Sequence, residues 1–147
     1  MKYKILENEA TADIAFEAYG KTIEDAFESA AFVLMETMTD TKKVLEKTEK
    51  RINIQSEDLK SLLYDFIEKI IVLHESENLL FSFFDVHHIK KIQYGYSLTA
   101  TLKGEKFNPK KHIRKSVVKA VTYFGMEIEE INSKQGKEWK VKLTLDL

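Results

Sequence analysis

Cysteine is absent from this chain, which excludes disulfides, thiolate metal sites and cysteine nucleophiles together. A reducing, cytoplasmic setting fits that absence. Proline occurs once and glycine five times, so little of the sequence reads as linker or disorder. No run approaches the ~18 apolar residues of a membrane-spanning helix. The opening "MKYKILENE" carries acids and lacks the apolar centre of a secretion signal. The net charge of −1, from 23 basic and 24 acidic residues, provides no global basic field for non-specific nucleic-acid binding. Internal repeats and low-complexity tracts are also missing.

What is present is core material. Apolar residues make up 44% of the chain, with nine Phe and six Tyr among them, enough for one domain over residues 1–147. Residues 2–7 alternate loosely as a first strand, and Ile14 to Tyr19 form a second that Gly20 ends. From Thr22 the period lengthens: Ile23, Ala26, Phe27, Ala30, Ala31, Leu34 and Met38 share one helical face, capped by Thr22 with Asp25 three residues on. The stretch to about Lys50 is charged and reads as exposed, and "KRINIQ" is a short strand. Ser56, followed by Glu57 and Asp58, predicts a second helix start. Leu59, Leu62, Leu63, Phe66, Ile67, Ile70 and Ile71 then keep helical spacing until about Leu73 or His74, where "HESEN" reads as a loop.

Beyond it, "LLFSFFDVHHIKKI" and "YSLTATLKG" predict a hairpin turning near Gln93 to Gly95. Pro109 stops the strand, residues 115–123 are assigned a short helix, and "MEIEEI" with "EWKVKLTLDL" predicts a terminal hairpin. In that last strand Trp139, Val141, Leu143, Leu145 and Leu147 share one face. The expected fold class is α+β, a largely antiparallel sheet packed against two principal amphipathic helices.

Catalytic signatures do not accompany this fold. His74, His87, His88 and His112 form no HExxH motif, and His87 and His88 fall on opposite strand faces. GxGxxG, P-loop, GxSxG and kinase motifs are missing. Basic residues gather only locally, at Lys42 and Lys43, Lys90 and Lys91, and Lys110, Lys111, His112, Arg114 and Lys115, where solvated surface is the plain reading. Two isolated acids stand out. Asp13 in "TADIAFEAYG" is either a turn residue accepting backbone hydrogen bonds or an oxygen ligand. Asp146 is either the polar face of an end strand or its counterpart, with a main-chain carboxylate at Leu147 beside it.

Five segments in order, "TADIAFEAYG", "EDLKSLLYDFIEKIIVLH", "GEKFNPKKH", "VVKAVTYF" and "LTLDL", resemble the archease family from residue 7 to 147. The resemblance implies no catalysis by this chain. It implies an accessory protein of the tRNA-splicing RNA ligase, which uses GTP and manganese and passes through a guanylylated histidine. Such a protein promotes guanylylation and multiple turnover and broadens nucleotide use. It also implies a calcium site at Asp13, Asp146 and Leu147, the last through a main-chain oxygen. Partner contacts at Lys119 and His112 are further expectations, with RNA met indirectly through the ligase and no membrane. The Gly104–Glu105 pair and Tyr123 also stand at family-like positions, with Tyr123 expected in the core. Two positions depart from the family: Ala10 and Phe124 stand where histidines are usual, and their paired replacement predicts mutual contact. Competing readings are an RNA-binding adaptor and a chaperone-like protein for nucleic-acid enzymes.

Overall fold

The computed structural model describes residues 1–6 and 13–147. Among them, β1 (Lys2–Leu6) and β2 (Asp13–Gly20) precede helix α1 (Ile23–Met38) and a 3₁₀ turn at Thr41–Lys43. Strand β3 (Thr48–Ser56), helix α2 (Leu59–Glu77), β4 (Leu79–Ile92), β5 (Gly95–Lys106), β6 (Ala120–Ser133) and β7 (Gly136–Asp146) follow. The strands form two antiparallel sheets, ordered β1-β2-β7-β6 and β3-β5-β4. Both helices touch both sheets, so the α+β expectation holds with its single sheet divided in two. No described helix is long and apolar enough to cross a membrane.

The core follows the predicted periods. Phe27, Ala30, Ala31 and Leu34 of α1 are fully buried, as are Leu62, Leu63, Phe66, Ile67 and Ile70 of α2. Phe27 and Phe66 stack across the helices with centroids 6.2 Å apart. Asp25 N–H donates to Thr22 Oγ1 at 3.1 Å, the predicted cap. Val141, Leu143 and Leu145 point inward from β7, and Trp139 and Leu147 pack against the same cluster. Within the stretch predicted to be charged and exposed, Thr41 and Val44 are nevertheless buried.

Three local expectations are corrected. Ser56 does not cap α2: it pairs with Tyr96 at the end of β3 and donates its hydroxyl to Asp65 Oδ2 at 2.6 Å. Asp58 caps instead, accepting Ser61 N–H at 2.7 Å. The helix also outruns His74, because Asn78 takes the left-handed C-cap at φ 57° and the His74 ring meets Leu79 O at 2.9 Å. Residues 115–119 are not helical, and β6 begins at Ala120. Their amides are spent elsewhere: Lys115 and Ser116 donate to Met38 O and Thr37 O, and Lys119 donates to Asp146 O. An extended chain there buries Val118, in keeping with the β-preference of its valines.

Candidate functional site: a carboxylate pair at the sheet end

Asp13 is the first residue of β2 and Asp146 the last of β7, and the register sets them directly opposite each other. Ile14↔Leu145, Phe16↔Leu143 and Ala18↔Val141 form the inward face of this pairing. Alternation therefore turns both aspartates to the other face, with Cβ atoms at the ~5 Å spacing of cross-strand neighbours. The apolar residues favour this meeting, since a slip of one position would turn the acid of the slipped strand toward the core and its apolar residues outward.

The third strand completes the end of the sheet. Ala120 pairs with Asp146, and Lys119 N–H donates to Asp146 O at 2.8 Å. That bond occupies the Asp146 carbonyl and leaves its carboxylate available. It also sets exposed Lys119 beside the pair. Among the described residues, the ion pairs on this sheet join Lys2, Lys140 and Lys142 to Glu17, Glu127, Glu129 and Glu138, not to the two aspartates. Lys140 lies 2.9 Å from Glu129 and 3.3 Å from Glu17. Its ammonium is held well above the ordinary lysine range, first by the Glu129 hydrogen bond, against the opposing effect of burial.

Two hard carboxylates with a main-chain oxygen at Leu147 suit a cation such as Ca²⁺ by donor type. They leave its six- to eight-fold demand for oxygen unfilled. Among the described residues, no group of three or more His, Cys, Asp or Glu side chains is placed to hold a metal. The remaining oxygens would have to come from main chain, water or a partner.

The other expected contacts sort differently. His112 is buried, with both ring nitrogens engaged. Asn108 N–H donates to Nδ1 at 2.9 Å, so the ring proton sits on Nε2, which lies 3.0 Å from Glu105 Oε2. It therefore braces a loop and does not present itself to RNA or a partner. Glu105, beside Gly104, is the hub: it accepts Leu45 N–H at 2.6 Å and Lys111 Nζ at 2.7 Å. Burial pushes its carboxyl up, but these donors outweigh burial and hold it at about 2. Tyr123 is not in the core either; it is half exposed and stacks on Tyr64. His87 and His88 do not alternate, because a bulge between Val86 and His88 leaves both exposed. Ala10 lies outside the described residues, as does any contact it makes with Phe124.

Sequence reasoning missed Glu28. On α1 it accepts Val86 N–H at 2.8 Å, and Glu24, one turn earlier, accepts Ile89 N–H at 3.0 Å. Burial pushes Glu28 up to about 7, helped by Asp25, Asp85 and Glu24 and opposed by the Val86 amide. The available signal was the i, i+4 pair of acids, Glu24 and Glu28, on one face of α1. A cavity of about 210 Å³ lies between Met38, His74, Phe107, Arg114 and Val117, and neither aspartate lines it.

The fold and site define a small α+β domain that joins a pair of carboxylates across the adjacent ends of its second and last strands. The model of the Archease protein family matches residues 3–147. Protein archease of Pyrococcus abyssi is 40% identical over 139 residues, 95% of each chain. That of Methanosarcina mazei is 38% identical over 146 residues, 99% of this chain and 96% of its own. The solution structure of Methanobacterium thermoautotrophicum protein 1598 aligns with a TM-score of 0.79 at 36% identity, covering 99% of this chain and 98% of that one. This chain belongs to the archease family.

Proposed function

We propose that this protein is a non-catalytic activator of the tRNA-splicing RNA ligase in the cytoplasm. It promotes guanylylation of the ligase histidine, supports multiple turnover and broadens nucleotide use. GTP and manganese belong to the ligase, and RNA is met through it. Family membership supports the accessory role, and the observation that carries the reading is the register pairing of Asp13 with Asp146 beside Lys119. In this reading Asp13, Asp146 and the Leu147 main chain hold a calcium ion. The ion offsets the repulsion of the paired acids and ties the β2 and β7 ends together. The incomplete oxygen set then leaves the ion, or the bare acids, open toward the partner, with Lys119 placed for a carboxylate or phosphate.

The test mixes the purified protein with its cognate ligase, GTP and manganese, and measures covalent guanylylation and RNA products per ligase. D13A and D146A are each expected to cut stimulation by ~10-fold or more, the scale of one lost charge-assisted contact. Undiminished stimulation by both variants overturns the role of the acid pair.

An RNA-directed adaptor has one observation in its favour. The Thr39 hydroxyl donates to Ile113 O at 2.7 Å, tying the end of α1, which leads to Lys42 and Lys43, to the 110–115 segment. Much of that charge is already committed: Lys111 to Glu105, Lys115 to Glu36, and Arg114 over the Phe107 ring. Salt-sensitive RNA binding without the ligase would favour this reading.

A further inference from the structure

The β6–β7 ladder breaks in an unusual way. Thr122 pairs with Thr144 and Glu127 with Lys142, so Tyr123, Phe124, Gly125 and Met126 all stand opposite Leu143 alone. Bulges re-aim side chains and interrupt pairing. This one is built to hold its shape. Gly125 takes the left-handed conformation at φ 67°, and Phe124 N–H donates to Thr122 Oγ1 at 3.1 Å. Met126 returns to the core, 5% exposed. At the other flank Tyr123 stacks on Tyr64 of α2, with centroids 4.3 Å apart and planes within 8°.

Tyr123 and Met126 anchor the two flanks of the bulge, and between them Phe124 is 79% exposed, beside a half-exposed Tyr123. A lone exposed apolar residue is ordinary, but one extruded by a braced bulge is a presented group. Its neighbourhood indicates what would receive it. Burial pushes the Tyr64 phenol up, and Glu68 and Asp65 lie close enough to add to it; Glu127, next on the bulged strand, is already held by Lys140 and Lys142. Tyr123 is three residues along β6 from Ala120, the partner of Asp146, a span of ~10 Å. A second copy of this chain docking through the same face would bring these acids together, which disfavours self-association.

We propose that Phe124, held out on the Tyr123–Met126 bulge and braced by the Tyr64–Tyr123 stack, is the anchor by which this protein docks. It enters an apolar pocket with a basic rim on the protein it activates. The inference deepens the activator reading and rests on it. Phe124 supplies grip, and the acid pair supplies the effect.

The test titrates wild type, F124S, F124L and D13A against a fixed amount of the ligase. It reads both stimulated guanylylation and direct binding by surface plasmon resonance. F124S is expected to raise the half-maximal concentration and the binding Kd by ~10-fold or more, as loss of an aromatic anchor does. Its plateau of stimulation stays at the wild-type level, F124L recovers most of the affinity, and D13A lowers the plateau. Because Phe124 is exposed, the melting curve of F124S should match wild type. Wild-type affinity in F124S overturns the anchor while leaving the activator reading intact. Wild-type binding without stimulation overturns the activator reading, and the Kd comparison still decides the anchor. Absence of any wild-type binding overturns the anchor as well. So does an F124S defect confined to binding of an RNA oligonucleotide, or confined to a wild-type dimer seen in sedimentation.

Discussion

Glu105 and Glu28 are both glutamates in confined surroundings, and they are pushed in opposite directions. Burial acts upward on each, but Glu105 collects the Leu45 amide, Lys111 and His112, whereas Glu28 collects one amide among three other acids. Donor count decides the sign. Glu105, held at about 2 against an ordinary 4.5, contributes stability above about pH 4.5 that is lost as pH falls toward 2. Glu28, raised to about 7, contributes stability that is present below pH 4.5 and lost as pH rises through 7. Denaturation midpoints across pH should therefore flatten at the acid end in E105Q and between pH 4.5 and 7 in E28Q. At neutral pH E105Q is expected to lose ~1–3 kcal/mol, the cost of leaving buried donors poorly matched.

The two long hairpins show what alternation specifies and where it stops. Inward residues such as Leu98, Ala100 and Leu102 of β5, and Val141, Leu143 and Leu145 of β7, were readable from a period of two. Once both ends of β2 and β7 are placed, the meeting of Asp13 with Asp146 follows from that same period. Their separation by well over a hundred residues hid it, because antiparallel register is a tertiary fact. The bulges at Ser82, His87 and 123–126 were not legible, since each adds residues that break the count. Nor was the fate of Val117 and Val118, whose segment is held extended by carbonyls at the end of α1.

Two glycines measure these elements. A Cβ at Gly104 would stand 1.7 Å from Leu80 O, main chain against main chain, whereas one at Gly125 meets nothing within 4 Å. G104A should therefore lower stability by ~3 kcal/mol or more in urea unfolding, beyond ordinary overpacking. G125A should cost only ~1–2 kcal/mol, the penalty of a side chain in the left-handed region.

Taken as a whole, the molecule is two antiparallel sheets held by two helices that touch both, with its N-terminal and C-terminal strands joined through β2 and β7. A cation bound by Asp13 and Asp146 would act on folding only through this joint, so added Ca²⁺ should raise the melting temperature of wild type. The rise should disappear in a D13N/D146N double variant, as scanning calorimetry with and without a chelator would show.

A different pair of acids governs the far side of the fold. Strand β4 lies at the margin of the three-stranded sheet, and two of its peptide N–H groups terminate on Glu28 and Glu24 of α1. An incoming strand from another polypeptide would have to displace both carboxylates and set them against its own carbonyls. The first helix thus serves as a guard rail against fibril growth along that margin.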